Sequence, residues 1–270
     1  MKIDKVIFSS DDSEYLKFWK LNSEITLKIL NATPVLFHIT DEDSDFFEDE
    51  FGIVKKIKKL TNHSTSVQSQ IVRMYGTKYF PNEVCLTNDI DMFLFNKEYI
   101  ESKLNSINDD DMVIFNSDGY DSKRPECLGE YSGPDRYPIC YVSAKGITFD
   151  KILGTNTSFQ DYMDKVQSIG LNGSNDEVYF GRRVNNQKDV IVHKIKRGIS
   201  SNFYTPGRIE KYMFDFNDGG FSINLNGHIN IDSFVDCHCK SPFSKYETLI
   251  YKIKNLILNN YINKINTKND

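Results

Sequence analysis

The chain has 270 residues, with 33 Lys and Arg against 38 Asp and Glu and a formal net charge of -5. This balance argues against nucleic acid as the main partner, because neutralising phosphates requires clustered Lys and Arg. The hydrophobic fraction of 39% includes 19 Phe and 15 Tyr, which indicates a globular chain with a substantial core and excludes a disordered one.

Targeting signals are not evident in the sequence. The apolar run at residues 6–8 is too short for a signal peptide, and no stretch approaches the roughly 20 apolar residues of a spanning helix. The five Cys lack the paired spacing of structural zinc sites, so reduced thiols are expected. We therefore predict a cytoplasmic protein without a membrane span.

Strand and helix patterns alternate along the first half of the chain, which is typical of an α/β fold. An acidic stretch, residues 41–50, has the composition of a solvated loop. The predicted strands are 6–8, 35–39, 52–57 and 84–95, and the predicted helices are 16–30 and 66–75.

In the second half, residues 116–138 are rich in Gly, Pro, Ser and Asp and are predicted to form a long loop. Its aromatic residues, Tyr120 among them, are of the kind that hold sugar rings, and a plain solvent-facing loop is the open alternative. The other predicted elements are strands 112–115 and 139–143, helices 159–169 and 246–262, a helix opening at 174, a hairpin turn at Asn226-Gly227 and a frayed tail, 263–270.

Asp89-Ile90-Asp91 is the strongest candidate for a functional site. Other Asp-x-Asp pairs, such as Asp43 and Asp45, lie in polar surroundings, but this pair interrupts an apolar run. A buried carboxylate is costly unless it is paired or coordinates a metal, and residues i and i+2 of an extended segment share one face. A hard divalent cation with phosphate oxygens would satisfy both carboxylates. The open alternative is a strand end that enters a turn with Asx hydrogen bonds.

Two later motifs carry further polar groups. Asn175-Asp176-Glu177 stands at a predicted helix start, where Glu177 also fits a capping box with Ser174. The second motif is Asp236-Cys237-His238-Cys239-Lys240-Ser241-Pro242, in which His238 is either a metal ligand or an ordinary loop histidine. No glycine-rich dinucleotide or P-loop motif is present in the sequence.

These residues resemble the GT-A class of metal-dependent glycosyltransferases. The resemblance rests on Asn88-Asp89-Ile90-Asp91 placed after a first strand that ends in Ser9-Ser10-Asp11-Asp12, and it covers roughly residues 4–255. More narrowly, the chain is similar to the small GT-A domains of large DNA viruses, including a rhamnosyltransferase. The resemblance implies an α/β fold, a GT-A-like mixed sheet flanked by helices in a single domain. Residues 1–115 would bind nucleotide and metal, and residues 116–262 would form the acceptor side.

The resemblance also implies a set of ligand contacts. Mn or Mg would be held by Asp91, by Asp89 directly or through water, and by His238, with Lys240 reaching a phosphate. The nucleotide would lie at the end of the first strand, because ligands of open α/β sheets bind outside the carboxyl ends of strands.

Ser9, Ser10 and Asp12 are the candidates for binding uracil and ribose there, and Arg73 is a candidate donor contact or else a solvated helix residue. Asp176 is the candidate base for the acceptor hydroxyl, with Glu177 in reserve, and a base in that position implies an inverting reaction.

The predicted function is a metal-dependent glycosyltransferase of the hexosyltransferase type. It would move a sugar from a nucleotide-sugar donor, UDP-linked, to a hydroxyl of a glycan acceptor. Two alternatives stay open: a metal-dependent nucleotidyltransferase, and a carbohydrate-binding protein with a degenerate site.

Overall fold

The computed structural model describes residues 1–120, 136–171, 174–196, 207–208, 231–239 and 241–268. Strands and helices alternate along these ranges. The strands are β1 (Lys5–Asp11), β2 (Thr33–Thr40), β3 (Phe47–Glu48), β4 (Ile53–Lys58), β5 (Val84–Thr87), β6 (Met92–Leu94), β7 (Met112–Phe115), β8 (Val142–Lys145), β9 (Val192–Ile195), β10 (Gly207–Arg208) and β11 (Phe234–His238). The helices are α1 (Phe18–Ile25), α2 (Thr65–Tyr75), α3 (Lys97–Leu104), α4 (Gly146–Leu153), α5 (Phe159–Gln167), α6 (Asn175–Asn186) and α7 (Phe243–Lys268).

The main sheet of the described residues has eight strands in the order β3-β4-β2-β1-β5-β8-β7-β9. Strands β4, β2, β1 and β5 run parallel, and β8 runs antiparallel to both β5 and β7. The predicted fold class, an α/β mixed sheet flanked by helices, is confirmed. Both predicted halves of the chain contribute strands to this one sheet.

Side chains of the central strands alternate between two hydrophobic cores, as the two-residue period of a strand requires. In β1, Val6 and Phe8 enter the core shared with α1 and α7, whereas Ile7 enters the core shared with α2, α4, α5 and α6. A sheet covered on both faces has its free groups at strand ends, so a ligand site is expected at an edge where strands end.

A small sheet of β10, β11 and β6 joins β11, which precedes helix α7, to β6, which follows β5. Strand β11 pairs antiparallel with β6, so that His238 lies opposite Met92 and Asp236 opposite Leu94. This pairing brings residues 236–238, which are far from β5 in the sequence, close to the end of that strand.

The structure corrects several predicted elements and adds others that were not predicted, namely helices α3 and α4 and strands β3, β9, β10 and β11. Residues 84–95 form two strands, β5 and β6, separated by a turn at 88–91, because Asn88 and the two aspartates bend the chain. The strand predicted at 139–143 begins at Val142. Helix α4 was not predicted, since its β-branched and glycine residues have low helix propensity and its helix depends on burying Phe149 and Ile152.

A further correction concerns the C-terminal helix. Helix α7 runs to Lys268, so residues 263–268 are helical and not a frayed tail. The predicted hairpin at Asn226-Gly227 and the segment 121–135 of the predicted loop lie outside the described residues. Among the helices of the described ranges, none has the length and apolar character needed to cross a bilayer.

Gly146, the first residue of α4, packs directly against the backbone of an earlier segment of the chain. A Cβ at this position would lie 2.2 Å from the carbonyl oxygen of Thr77 and 2.4 Å from that of Phe80, and backbone atoms cannot move aside as a side chain can. We expect Gly146→Ala to lower the free energy of unfolding by about 1–3 kcal/mol, measured by urea denaturation.

Gly154, just after α4, is the matched control. Its φ of 67° is left-handed and nothing lies within 4 Å of an added Cβ, so Gly154→Ala meets the backbone preference of about 1–2 kcal/mol without a close contact. A smaller effect of Gly146→Ala than of Gly154→Ala would contradict the close approach of Gly146 to the chain at Thr77 and Phe80.

Candidate functional site

A cavity of about 540 Å³ lies at the carboxyl ends of β1 and β5. Its described lining comes from the end of β1 and the residues just after it, from one face of α2, from the turn after β5, from Tyr120 and the segment 136–140, from the start of α6 and from His238 at the end of β11. This is the edge at which open α/β sheets bind ligands. Most of the residues singled out in the sequence meet here, although they come from distant segments.

The turn that carries Asp89 and Asp91 is fixed from three sides. The Asn22 amide donates to the carbonyl of Ile90 at 2.6 Å, and the Cys239 N–H donates to the carbonyl of Asp91 at 2.8 Å. The Asn88 side chain donates to the Met92 carbonyl at 3.0 Å. A backbone held by these hydrogen bonds positions two carboxylates at the cavity without a ligand.

Asp91 and His238 form a pair in the cavity. The imidazole Nε2 lies 3.1 Å from a carboxylate oxygen of Asp91, and Asp91 is buried. The contact follows from the antiparallel pairing of β11 with β6, which ends beside the turn. The structure thus brings together two of the three predicted metal ligands.

Asp89, the third predicted ligand, has a different partner. Its carboxylate is ion-paired with Arg73, which is buried on α2 and is not a solvated helix residue. Within the described ranges, no group of three or more His, Cys, Asp and Glu side chains has the arrangement of a metal site. The three predicted ligands therefore do not form one preassembled cluster, and Asp89 is paired with Arg73 instead.

At the end of β1 the cavity is lined by Ser9, Ser10 and Asp11, but Asp12 is not among the described lining residues. The Asp12 carboxylate instead contacts His38 at 2.7 Å and accepts from Thr40 at 3.1 Å. Strand β1 ends at Asp11, so Asp11 lies at the carboxyl end of the strand and Asp12 lies beyond it, where its contacts with His38 and Thr40 hold it.

The environment of Asp11 favours its ionised form. Burial alone would raise the pKa of Asp11, but hydrogen bonds from Ser13 and Thr65 outweigh it and lower the pKa below its usual range. Asp11 is therefore a hydrogen-bond acceptor facing the cavity.

Asp176 and Glu177 both line the cavity at the start of α6, in contrasting environments. Burial, and next the negative charge of Glu177, raise the pKa of Asp176 to about 6, with Arg73 acting in the opposite direction. Glu177 is ion-paired with Arg136 at 2.7 Å. The predicted capping box is wrong, since Ser174 has a left-handed φ of 62° and makes no side-chain cap.

Negative groups outnumber positive ones in the described lining. Asp11, Asp89, Asp91, Asp176 and Glu177 face the cavity, against Arg73 and Arg136, each of which is paired with one carboxylate. Sequence reasoning missed Asp11 by one position, and no local pattern marked Arg136. Lys240, predicted to reach a phosphate, lies outside the described residues.

A divalent cation fits the Asp91 and His238 pair. Carboxylate oxygen and imidazole nitrogen are both ligands of first-row divalent metals, and their 3.1 Å separation is of the order found between two ligands of one ion. Mg is commonly held by one or two carboxylates plus substrate phosphates, so a sparse protein donor set is suited to a metal that binds together with a nucleotide.

Two solved structures are similar to this chain at low identity. The glycosyltransferase GlyE of Streptococcus pneumoniae TIGR4 matches with a TM-score of 0.49 and 11% identity over 98% of this chain and 64% of that chain. The galactosyltransferase LgtC, in complex with donor and acceptor sugar analogues, matches with a TM-score of 0.46 and 11% identity over 88% of this chain and 87% of that chain.

Both likenesses concern the fold, and this chain spans less than two thirds of the GlyE chain. No protein-family model and no curated protein matches the sequence. The resemblance to domains of large DNA viruses stays a prediction.

The raised pKa of Asp176 predicts a pH-dependent cost in stability. A buried carboxyl with a folded pKa near 6 and an unfolded value of 3.8 is protonated more in the folded state, so stability falls as pH rises between these values. We expect Asp176→Asn to raise the free energy of unfolding by about 1–3 kcal/mol at about pH 7.5, and by much less at about pH 4.

Urea denaturation of both proteins at the two pH values measures this difference. Asp161→Asn is the control, because hydrogen bonds from Ser158 and Thr157 lower the pKa of Asp161 and its loss should not stabilise the fold at neutral pH. An equal gain from Asp176→Asn at both pH values would show that ionisation of Asp176 is not its source.

Proposed function

We propose that the protein is a metal-dependent glycosyltransferase of the hexosyltransferase type, which transfers a sugar from a UDP-linked donor to a hydroxyl of a glycan. The observation that supports this most is the joint presence, in one cavity at the ends of β1 and β5, of the Asp91 and His238 pair and of Asp176. The Asp91 and His238 pair is suited to binding a cation on a diphosphate, and Asp176 is suited to accepting a proton.

The negative charge of the cavity supports a donor that binds together with a metal ion. A diphosphate is repelled by a lining in which carboxylates exceed arginines, unless a cation accompanies it. When bound by Asp91 and His238, Mn or Mg would act as a Lewis acid that offsets negative charge on the diphosphate. Asp89 is the third candidate ligand, and its ion pair with Arg73 holds that arginine at the cavity, where it is the candidate contact to the donor.

The nucleoside is proposed to lie against the end of β1. An ionised Asp11 accepts hydrogen bonds and donates none, which suits the imide N–H of uracil and disfavours a ring nitrogen that is itself an acceptor. The hydroxyls of Ser9 and Ser10 donate to the carbonyls of Ser69 and Asp11, and their oxygens can still accept hydrogen bonds from ribose hydroxyls.

Asp176 is proposed to remove the proton of the attacking hydroxyl. A pKa of about 6 leaves most of the carboxyl ionised at neutral pH and yet basic enough to take a proton. In the reaction the acceptor oxygen bonds to the anomeric carbon, the bond to the diphosphate oxygen breaks, and the hydroxyl proton passes to Asp176. Direct attack with this base inverts the anomeric configuration.

Thermal unfolding with Mn alone, with UDP alone and with both tests the donor site. We expect UDP to raise the melting temperature by several degrees only when Mn is present, as mass action predicts for a ligand well above its dissociation constant. Asp91→Ala should abolish the metal-dependent part of the shift.

Asp43→Ala is the matched control, because Asp43 belongs to an exposed Asp-x-Asp pair. A rise in melting temperature with UDP that does not depend on Mn would contradict the proposed metal site. A preference for nucleoside triphosphates would favour the nucleotidyltransferase, and no response to any nucleotide would favour the carbohydrate-binding protein.

Transfer assays with a panel of UDP-sugars test the base. We expect Asp176→Asn to leave the UDP and Mn shift intact and to lower kcat by about two to four powers of ten, because general base catalysis contributes that much. The activity of the unsubstituted protein should rise with pH through about 6 and then level off, and this acid limb should disappear in the variant. Near-normal turnover of the variant, or retention of anomeric configuration in the product, would exclude this role for Asp176.

A further inference from the structure

Glu177 stands at the centre of a cluster that the proposed reaction does not use. The cluster consists of Tyr120, Arg136, Ser174 and Glu177, all of which line the cavity. We call it the arginine clamp. Tyr120 and Arg136 are distant in sequence from α6, so their convergence on its first turn is a product of the tertiary fold.

The Glu177 carboxylate is held by three hydrogen bonds. One oxygen accepts from the Tyr120 hydroxyl at 2.5 Å, and the other accepts from Nε and Nη2 of Arg136 at 2.9 and 2.7 Å. Both Glu177 and Arg136 side chains are at most 16% exposed. A carboxylate whose two oxygens are occupied by these three donors is held in one orientation, which suits a positioning role for Glu177.

Arg136 is fixed in position and orientation. Its Nη2 also donates to the Ser174 hydroxyl at 2.7 Å, and its guanidinium carbon lies 3.9 Å from the centre of the Tyr120 ring. The N–H groups of Nη1 are not among these contacts, although Arg136 lines the cavity. The clamp thus holds a planar donor group with one edge unused by Glu177 and Ser174.

The charge of that donor group is already offset. Glu177 neutralises Arg136 at close range, so the clamp offers a ligand directed hydrogen bonds with little net charge. Burial, and then the negative charge of Glu177, raise the pKa of Tyr120, which keeps its hydroxyl a donor to Glu177. A neutral oxygen acceptor fits this environment better than a phosphate, and a sugar hydroxyl is such an acceptor.

We propose that Glu177 is a positioning residue, and that it orients Arg136 so that the Nη1 edge donates a hydrogen bond to a hydroxyl of a sugar bound in the cavity. This inference rests on the proposed function, because it takes the ligand to be a sugar. The hydroxyl belongs either to the transferred sugar or to the acceptor. Loss of the hydrogen bond would raise the KM for the donor in the first case and the KM for the acceptor in the second.

The test is steady-state kinetics of Glu177→Gln over a range of pH, with UDP-glucose or UDP-galactose as donor and methyl glycosides as acceptors. We expect the KM for one of the two sugars to rise about tenfold, as the loss of a well-placed hydrogen bond predicts. The acid limb of the pH profile should be retained, because it belongs to Asp176, but it should move to lower pH, because the negative charge of Glu177 helps to raise the pKa of Asp176. A raised donor KM identifies the transferred sugar, and a raised acceptor KM identifies the acceptor.

Two further variants separate positioning from folding. Arg136→Lys should raise the same KM, since an ammonium cannot reproduce the two-pronged contact with Glu177. Tyr120→Phe removes one hydrogen bond to Glu177 and keeps the ion pair, so it should raise that KM less and remain folded by circular dichroism. Glu101→Gln, an exposed substitution on α3, is the control that should change neither KM.

Other outcomes overturn the inference and are distinguishable from failure of the proposed function. A fall of kcat by two powers of ten with loss of the acid limb would make Glu177 a base. Unchanged KM for both sugars in Glu177→Gln and Arg136→Lys would remove the clamp from sugar binding while transfer itself stood. Absence of a Mn-dependent UDP shift in the unsubstituted protein would instead overturn the proposed function.

Discussion

The excess of carboxylates over arginines at the ends of β1 and β5 is the constraint on which the site depends. Like charges in a partly buried cavity repel one another, and this chain limits the repulsion by two ion pairs, Arg73 with Asp89 and Arg136 with Glu177. His238 lies within hydrogen-bond distance of a third carboxylate, that of Asp91. Asp176 has no such ion pair with another described residue, and burial raises its pKa to about 6. Carboxylates of this one cavity therefore differ in their properties, because some have an ion-pair partner and Asp176 does not have one among the described residues.

The pairing requires a rigid backbone, because a carboxylate displaced by an ångström loses its partner. The turn at 88–91 obtains this rigidity from its neighbours: Asn22 on α1 and Cys239 after β11 each donate to one of its carbonyls. The same Cys239 contact extends the ladder of β11 and β6, which fixes His238 beside Asp91. The small sheet thus links the site to the core as well as supplying a side chain.

The sequence predicted the fold class and most strands of the main sheet, because alternating apolar residues and turn residues are local signals. Four of its candidate residues, Asp89, Asp91, Asp176 and His238, line one cavity, although their roles stay predictions. The first two were marked by the cost of placing carboxylates in apolar sequence, and the other two by the resemblance to GT-A motifs. The sequence placed both aspartates on one strand, however, and a turn separates β5 from β6. The exchange of Asp12 for Asp11 depends on where β1 ends, and Arg136 depends on tertiary contacts that no spacing encodes.

Asp176 and Glu177 show why adjacent acidic residues need not share a role. Neighbours at a helix start point in different directions, so one side chain is directed toward the buried side of the cavity and the other toward Tyr120 and Arg136. A base needs a carboxylate whose charged form is not already stabilised by a cation, whereas a positioning residue needs one that is held. The motif Asn175-Asp176-Glu177 supplies both, because burial raises the pKa of Asp176 while Arg136 pairs with Glu177.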